Sequence, residues 1–293
     1  MAYDSKYKRT EADLIEFVND LGFTLATSTV AGYTLSGYIG SKNVAIEYNK
    51  CNTHDSLNVT RQFHYWRSRK CLEAGIRVIN VWEDQLNDDR IWPTLQAIIK
   101  GALGVNAEIN KIYARKCKIK ELDNKTYKEF CDANHTQKCR AAKIKLGLFY
   151  EDKLVQVASF DKANSRNGIK VTKDKSKFDY EWVRGCEAFN QSRVIGGVSK
   201  LFNYFKKKYN PESVLCYSDF NFFCGLGYSK CGFKLDGYTG ADKFYITDEG
   251  KRINRSASKY HEYMANVATG KWILCYGSGN LRMIWRKDVE KDN

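Results

Sequence analysis

Apolar side chains fall at Leu14, Phe17, Val18 and Leu21, offsets of three, four and seven residues. That spacing lines one face of a helix over 11–21, with Thr10 as its N-cap and Gly22 as its stop. The period then changes to that of strands. Runs at 33–39 and 44–48 flank the polar turn formed by Gly40, Ser41, Lys42 and Asn43, in the manner of a hairpin. Phe63, Trp66, Cys71 and Leu72 predict a helix that ends at Gly75, and the apolar run over 76–82 suits a buried strand. A further helix over 91–103 carries Pro93 in its first turn, where the missing N–H is harmless. Together these elements predict an α/β domain over 1–107.

Beyond it the order becomes helix (124–134), strands (144–150, 153–160), a polar loop (161–178) and another strand (180–186). A turn through Arg193, Gly196 and Gly197 opens a helix over 199–209, followed by a strand at 213–219 and a short helix and strand within 227–235. These predict a second α/β domain over 108–293. No internal repeat or low-complexity tract is present.

The chain has 293 residues, more than one core usually organises, with ordinary hydrophobic (43%) and charged (28%) fractions, which excludes disorder, collagen and coiled coil. No apolar run approaches the roughly 18 residues of a spanning helix, and the amino terminus lacks a signal-peptide stretch. The expectation is a cytoplasmic protein with no membrane partner. Ten cysteines without a C-x-x-C pair predict reduced thiols rather than disulfides or structural zinc.

Charge changes the picture more. Residues 1–107 hold 12 Lys and Arg against 12 Asp and Glu, so the whole formal excess of +14 lies beyond them. Such an excess favours polyanions, double-stranded DNA first among them. The alternating stretch with Lys111, Arg115, Lys116, Lys118 and Lys120 is the candidate for lying along a phosphate backbone.

In the first domain Glu47 ends a strand, His54 and Asp55 follow in the next loop, and His64 begins a helix. Carboxylates with a nearby histidine are the residue types that hold a divalent ion and aim a water at a phosphodiester. The segments "VAIEYN", "GIRVINVWED", "KIYARKCKI" and "VIGGVSKLFNYFKKKYNPES" resemble phage-encoded EDxHD homing endonucleases, relatives of very-short-patch-repair endonucleases. The resemblance implies a restriction-endonuclease-like first domain acting on DNA with Mg²⁺ or Mn²⁺ in the host cytoplasm. Its catalytic residues would be Glu11, Glu47, His54 and His64, with Glu47 on the metal, and Asp55 or Asp84 is the candidate to stand in for the metal carboxylate this chain lacks. This chain departs from the pattern at Ser36, where the family has a metal-binding Asp, at Lys50 in place of Gly, and at Thr53 in place of Trp. A degenerate, DNA-binding version of the same domain is therefore a standing alternative.

The turn at Arg193, Gly196 and Gly197 opens a helix, an arrangement that offers backbone N–H groups to a phosphate. It resembles the coenzyme-A loop of GNAT-type acyltransferases, implying a GNAT-like second domain and acetyl-CoA as a cofactor. Arg193 and Gly196 match that loop, whereas Val198 stands where a small residue is usual. The second alternative is thus an acyl-CoA-dependent transferase acting on nucleic acid, with Asp219 as a candidate base or turn cap. The fold class expected overall is α/β (α+β).

Overall fold

Thr10 opens the first helix as the spacing predicts, its N–H donating to the Asp13 carboxylate at 2.7 Å. The computed structural model describes residues 7–105, 110–163, 178–188, 192–254, 256 and 258–287, and the fold is mixed α/β. Helix α1 (Glu11–Asp20) buries Leu14 and Val18. Strands β1 (Ala26–Val30), β2 (Tyr33–Ile39), β3 (Val44–Asn49) and β4 (Arg77–Trp82) form one sheet in that order. Strands β2 and β3 pair antiparallel around Asn43, which takes a left-handed conformation at φ 50°. Strand β4 pairs parallel with β3 from Val44–Arg77 to Asn49–Trp82, and α2 (Phe63–Glu73) supplies the crossover. Short α3 (Glu83–Leu86) follows, then α4 (Trp92–Leu103), whose Leu95, Ile98 and Ile99 close the core over Ile46, Ile79 and Val81. A Cβ at Gly37 of β2 would lie 1.9 Å from the Ile46 carbonyl oxygen, so only glycine admits this strand contact.

The expected charged strand over 111–120 is two strands, β5 (Lys111–Tyr113) and β6 (Lys118–Glu121), separated by a 3₁₀ turn at Ala114–Lys116. The turn is closed by the Cys117 N–H on the Ala114 carbonyl at 3.0 Å, and the Lys200 ammonium, distant in sequence, also donates to the Ala114 carbonyl at 2.8 Å and the Cys117 carbonyl at 2.6 Å. Then come α5 (Asn124–Asn134), β7 (Ile144–Tyr150), β8 (Lys153–Lys162), β9 (Tyr180–Glu187) and β10 (Arg193–Ile195). Next are α6 (Gly197–Tyr209), β11 (Ser213–Asp219), α7 (Leu226–Ser229) and β12 (Lys234–Tyr238). Most of the polar loop expected at 161–178 lies outside the described residues. After an excursion through β13 (Lys243–Ile246), β14 (Arg252–Asn254), α8 (Tyr260–Ala268) and β15 (Ile273–Tyr276), the chain returns as β16 (Asn280–Arg286).

The chain divides into two compact units, and it crosses between them several times. The first comprises 1–105, 219–224 and 239–280; the second comprises 106–218, 225–238 and 281–293. In the first unit the excursion β13 to β15 joins Phe244, Ile246 and Cys275 to Cys51 and Trp82 in one buried cluster. In the second unit seven strands run in the order β12-β16-β11-β9-β8-β7-β6, with α6 contacting β7 and β8. Strand β11 pairs parallel with β9 only through Val214–Tyr180, Leu215–Glu181 and Cys216–Trp182, although β9 runs on to Glu187. Among the described residues no helix is long and apolar enough to cross a membrane.

Candidate functional site

In the first unit, β3, α2 and the loop between them gather Glu47, His54, His64 and Arg67. Glu47 is 2% exposed; its carboxylate accepts from the Gly37 N–H and from Arg67 Nη1, both at 3.1 Å. Arg67 Nη2 donates to Asn80 Oδ1 at 2.6 Å and to Asn49 Oδ1 at 3.1 Å, and it lies 3.2 Å from His64 Nδ1. His64 Nε2 lies 3.3 Å from His54 Nδ1. Burial, with the Arg67 charge second, brings the His54 imidazole down to about 4, and the same causes hold the enclosed His64 well below its ordinary value. Both rings are therefore neutral at pH 7.

Glu11 stands elsewhere. It is exposed at the start of α1 and its charge is felt at Tyr48, whose side chain leaves β3 on the face opposite Glu47. Asp55 Oδ1 holds a turn, accepting from the N–H groups of Leu57 and Asn58, each at 3.0 Å, and from Asn58 Nδ2 at 2.8 Å. Asp84 is paired with Arg252 through two contacts of 2.7 Å. Among the described residues no three His, Cys, Asp or Glu side chains converge as a metal site. The residues expected to hold Mg²⁺ or Mn²⁺ do not fit the ion: both Glu47 oxygens are occupied, and Asp55 is committed to its turn. Asp219 accepts from the Asn221 N–H at 3.0 Å and Nδ2 at 2.9 Å, capping a turn, while burial and then Asp242 hold its carboxyl up at about 6.

In the second unit, Gly196 caps α6 at φ 78°, and the 13-residue helix begins at Gly197. Arg193 lies in β10, which pairs parallel with β5 through Arg193–Lys111, Val194–Ile112 and Ile195–Tyr113. The first N–H groups of α6 have no carbonyl within the helix to bond, so its opening carries partial positive charge. A cleft of about 500 Å³ opens there, lined by Tyr113, Arg115, Ile195, Gly196, Ser199 and Lys200 among others. Beneath the loop, Gln156 is 3% exposed; its Oε1 has no partner among the described residues and lies 1.8 Å from where a Cβ on Gly197 would stand. Glu187, the register partner of Gln156, accepts from the Val194 N–H, and burial holds its carboxyl up at about 7. Of these features, the helix opening and the cleft fit a phosphorylated group at the start of α6.

The basic residues Lys111, Arg115, Lys116, Lys118 and Lys120 are all exposed. Lys111 lies on β5, Arg115 and Lys116 in the 3₁₀ turn, and Lys118 and Lys120 on β6, with Lys120 paired to Asp152 at 3.6 Å. Arg67, Gln156, Glu187 and Tyr113 were not among the residues the sequence singled out. Gln156 left a signal, a polar residue inside the apolar run of β8; an arginine in the amphipathic α2 left none.

No family model matches the chain, and no curated protein matches it. Among solved structures, a Bacillus subtilis acetyltransferase in complex with CoA is similar over 58% of this chain and 99% of its own. The identity is 12% and the TM-score 0.34, a likeness too distant to speak for this chain's chemistry.

Proposed function

We propose that this protein is an acyl-CoA-dependent transferase whose second unit holds the donor by its phosphates at the opening of α6. The observation that carries the reading is the Gly196 cap, which starts a 13-residue helix beside the cleft of about 500 Å³. When bound, the donor supplies an activated acyl group as a thioester. The chain would supply the rest: the free N–H groups of Gly197, Val198 and Ser199 would hold the diphosphate at the helix opening. The net charge of +14 favours a polyanionic acceptor such as nucleic acid.

Titration calorimetry of the full chain with CoA and acetyl-CoA tests this, beside Gly197→Ala. The added Cβ would meet Gln156 Oε1 at 1.8 Å and Val194 Cγ1 at 2.8 Å, so the loop must shift. Wild type is expected to bind both ligands, and Gly197→Ala to bind them roughly tenfold or more weakly. A wild-type protein that binds neither overturns the reading.

A second reading keeps the first unit as a DNA endonuclease. What favours it is the meeting of His54 and His64 at 3.3 Å beside Arg67, with His54 only half-buried. A neutral imidazole can take a proton from an attacking water. Nicking of supercoiled DNA by wild type, reduced roughly 100-fold or more in His54→Ala, is the expected result on this reading; no nicking by wild type, with or without Mg²⁺, removes it.

A further inference from the structure

In the first unit Arg67 sets the direction of the hydrogen bonds around the two histidines. However Arg67 Nη2 divides its hydrogens among Asn80, Asn49 and His64, a guanidinium has no acceptor. His64 Nδ1, 3.2 Å from it, is therefore the acceptor of that contact and carries no proton. The ring proton of His64 is then on Nε2, which faces His54 Nδ1 at 3.3 Å and donates to it. His54 Nδ1 accepts in its turn, so the proton of His54 is on Nε2. Asn80, which also interacts with the His64 ring, has its Oδ1 taken by Arg67 Nη2 at 2.6 Å. His54 Nε2 has no partner among the described residues, and the ring is only half-buried. A relay that begins at an enclosed guanidinium thus ends in an N–H offered to solvent.

We infer that the first unit presents a site for a phosphate oxygen, with His54 Nε2–H as its donor and Arg67 as the residue that positions that proton through His64. The inference rests on the endonuclease reading and deepens it by fixing which partner His54 meets. A neutral imidazole has one accepting and one donating nitrogen, and here the accepting one is turned inward. His54 therefore meets an oxygen of the phosphate, and not the attacking water; its proton stays on the ring and the N–H steadies negative charge on that oxygen. The other unmet polar atoms of the residues touching the two rings are donors as well. Arg67 Nε and Trp82 Nε1 are enclosed and unpartnered among the described residues, and the Trp82 ring stands 4.8 Å from His64 and 6.4 Å from His54. Unmet donors suit a ligand that only accepts. The nearby acids are already taken, Glu47 by Arg67 and Gly37, and Asp55 Oδ1 by the N–H groups of Leu57 and Asn58. Arg61, exposed and without an ion pair among the described residues, precedes Phe63, whose ring lies 6.3 Å from His54, and adds attraction for an anion.

Nitrogen-15 NMR of the full chain, labelled at its four histidines, tests the relay, because ring-nitrogen shifts report which nitrogen holds the proton. Wild type at neutral pH is expected to show His54 and His64 both protonated on Nε2. Either ring protonated on Nδ1 overturns the inference. Arg67→Lys keeps a group that only donates and should keep both tautomers. Arg67→Met with Glu47→Gln leaves no enclosed charge unpaired and should let His64 turn an Nδ1–H toward Asn80. Tautomers unchanged in that folded double variant would make Arg67 merely structural and overturn its positioning role. The ligand is tested by adding inorganic phosphate, and separately a short DNA duplex, to wild type. The His54 Nε2 resonance is expected to move with both while His261 stays in place. Movement with the duplex alone assigns the site to a nucleic-acid backbone, and movement with inorganic phosphate alone assigns it to a free phosphate; movement with neither overturns the site. Absence of DNA nicking with the tautomers and shifts as expected removes the endonuclease reading and leaves the phosphate site standing.

Discussion

Glu47 and Arg67 illustrate how a residue with catalytic chemistry can be committed to structure. Each is nearly enclosed, and each satisfies the other: the carboxylate balances a guanidinium that also orders Asn49, Asn80 and His64. Enclosing two charges gains little net stability, but removing one partner strands the other in a poorly solvated place. Glu47→Ala is therefore expected to cost about 3–5 kcal/mol of stability in urea unfolding. Glu47→Gln, which keeps an acceptor for the Gly37 N–H, is expected to cost about half as much. A Glu47→Ala protein as stable as wild type would mean that the pair does not hold the sheet to α2. The ordering matters for any activity assay, since loss of function in Glu47→Ala reports unfolding before it reports chemistry. His54 is the better probe of chemistry because it is half-buried and, among the described residues, its side chain has a hydrogen-bond contact only with His64.

At the scale of elements, what the sequence showed was what local period can encode. Helices α1, α4 and α5 and strands β2, β3, β4, β7 and β11 lie within a residue or so of their patterns, because each buries one face or a whole run. Strand β1 escaped because its five residues, Ala26 to Val30, form a largely exposed sheet edge with no alternation to read. The break in 111–120 escaped for another reason: a group that braces it, Lys200, is more than 80 residues away. The same holds for the excursion 239–280. Its β13 and β15 are ordinary strands, but the pattern does not say that Phe244 and Cys275 pack on Trp82, or that Arg252 pairs with Asp84 across 168 positions. The candidate sites divide likewise. Glu47, His54 and His64 could be picked out by residue type and resemblance, and the glycine loop by its turn chemistry. Arg67, which turns the first cluster into a charge-balanced core, reads as a surface arginine until α2 is laid on β3. Tyr113 and Arg115 become parts of a cleft only once β5 pairs with β10.

For the whole molecule, the charge excess says that polyanions are attracted and leaves open which chemistry follows, because CoA and DNA are both polyanions. The two differ in how affinity responds to salt. A duplex releases condensed counterions as each phosphate is neutralised, giving a slope of log K against log salt of about −0.9 per contact; a ligand as small as CoA has no such atmosphere. The exposed cations beside the cleft separate the cases. Lys116 and Lys118 are not among its lining residues, whereas Arg115 is. If the basic stretch lies along DNA, replacing both lysines, Lys116→Glu with Lys118→Glu, should weaken duplex binding and make the salt slope shallower by about 2. The same protein should keep its CoA affinity to within about twofold. Arg115→Gln, at a residue lining the cleft, should do the opposite, weakening CoA binding with a loss of about one unit or less in the DNA slope. Filter binding over a salt series beside calorimetry reads both quantities from one set of proteins. An unchanged DNA slope in the lysine variant would move the polyanion surface away from 111–120, and a parallel loss of CoA and DNA affinity in both variants would mean that one cleft serves both ligands.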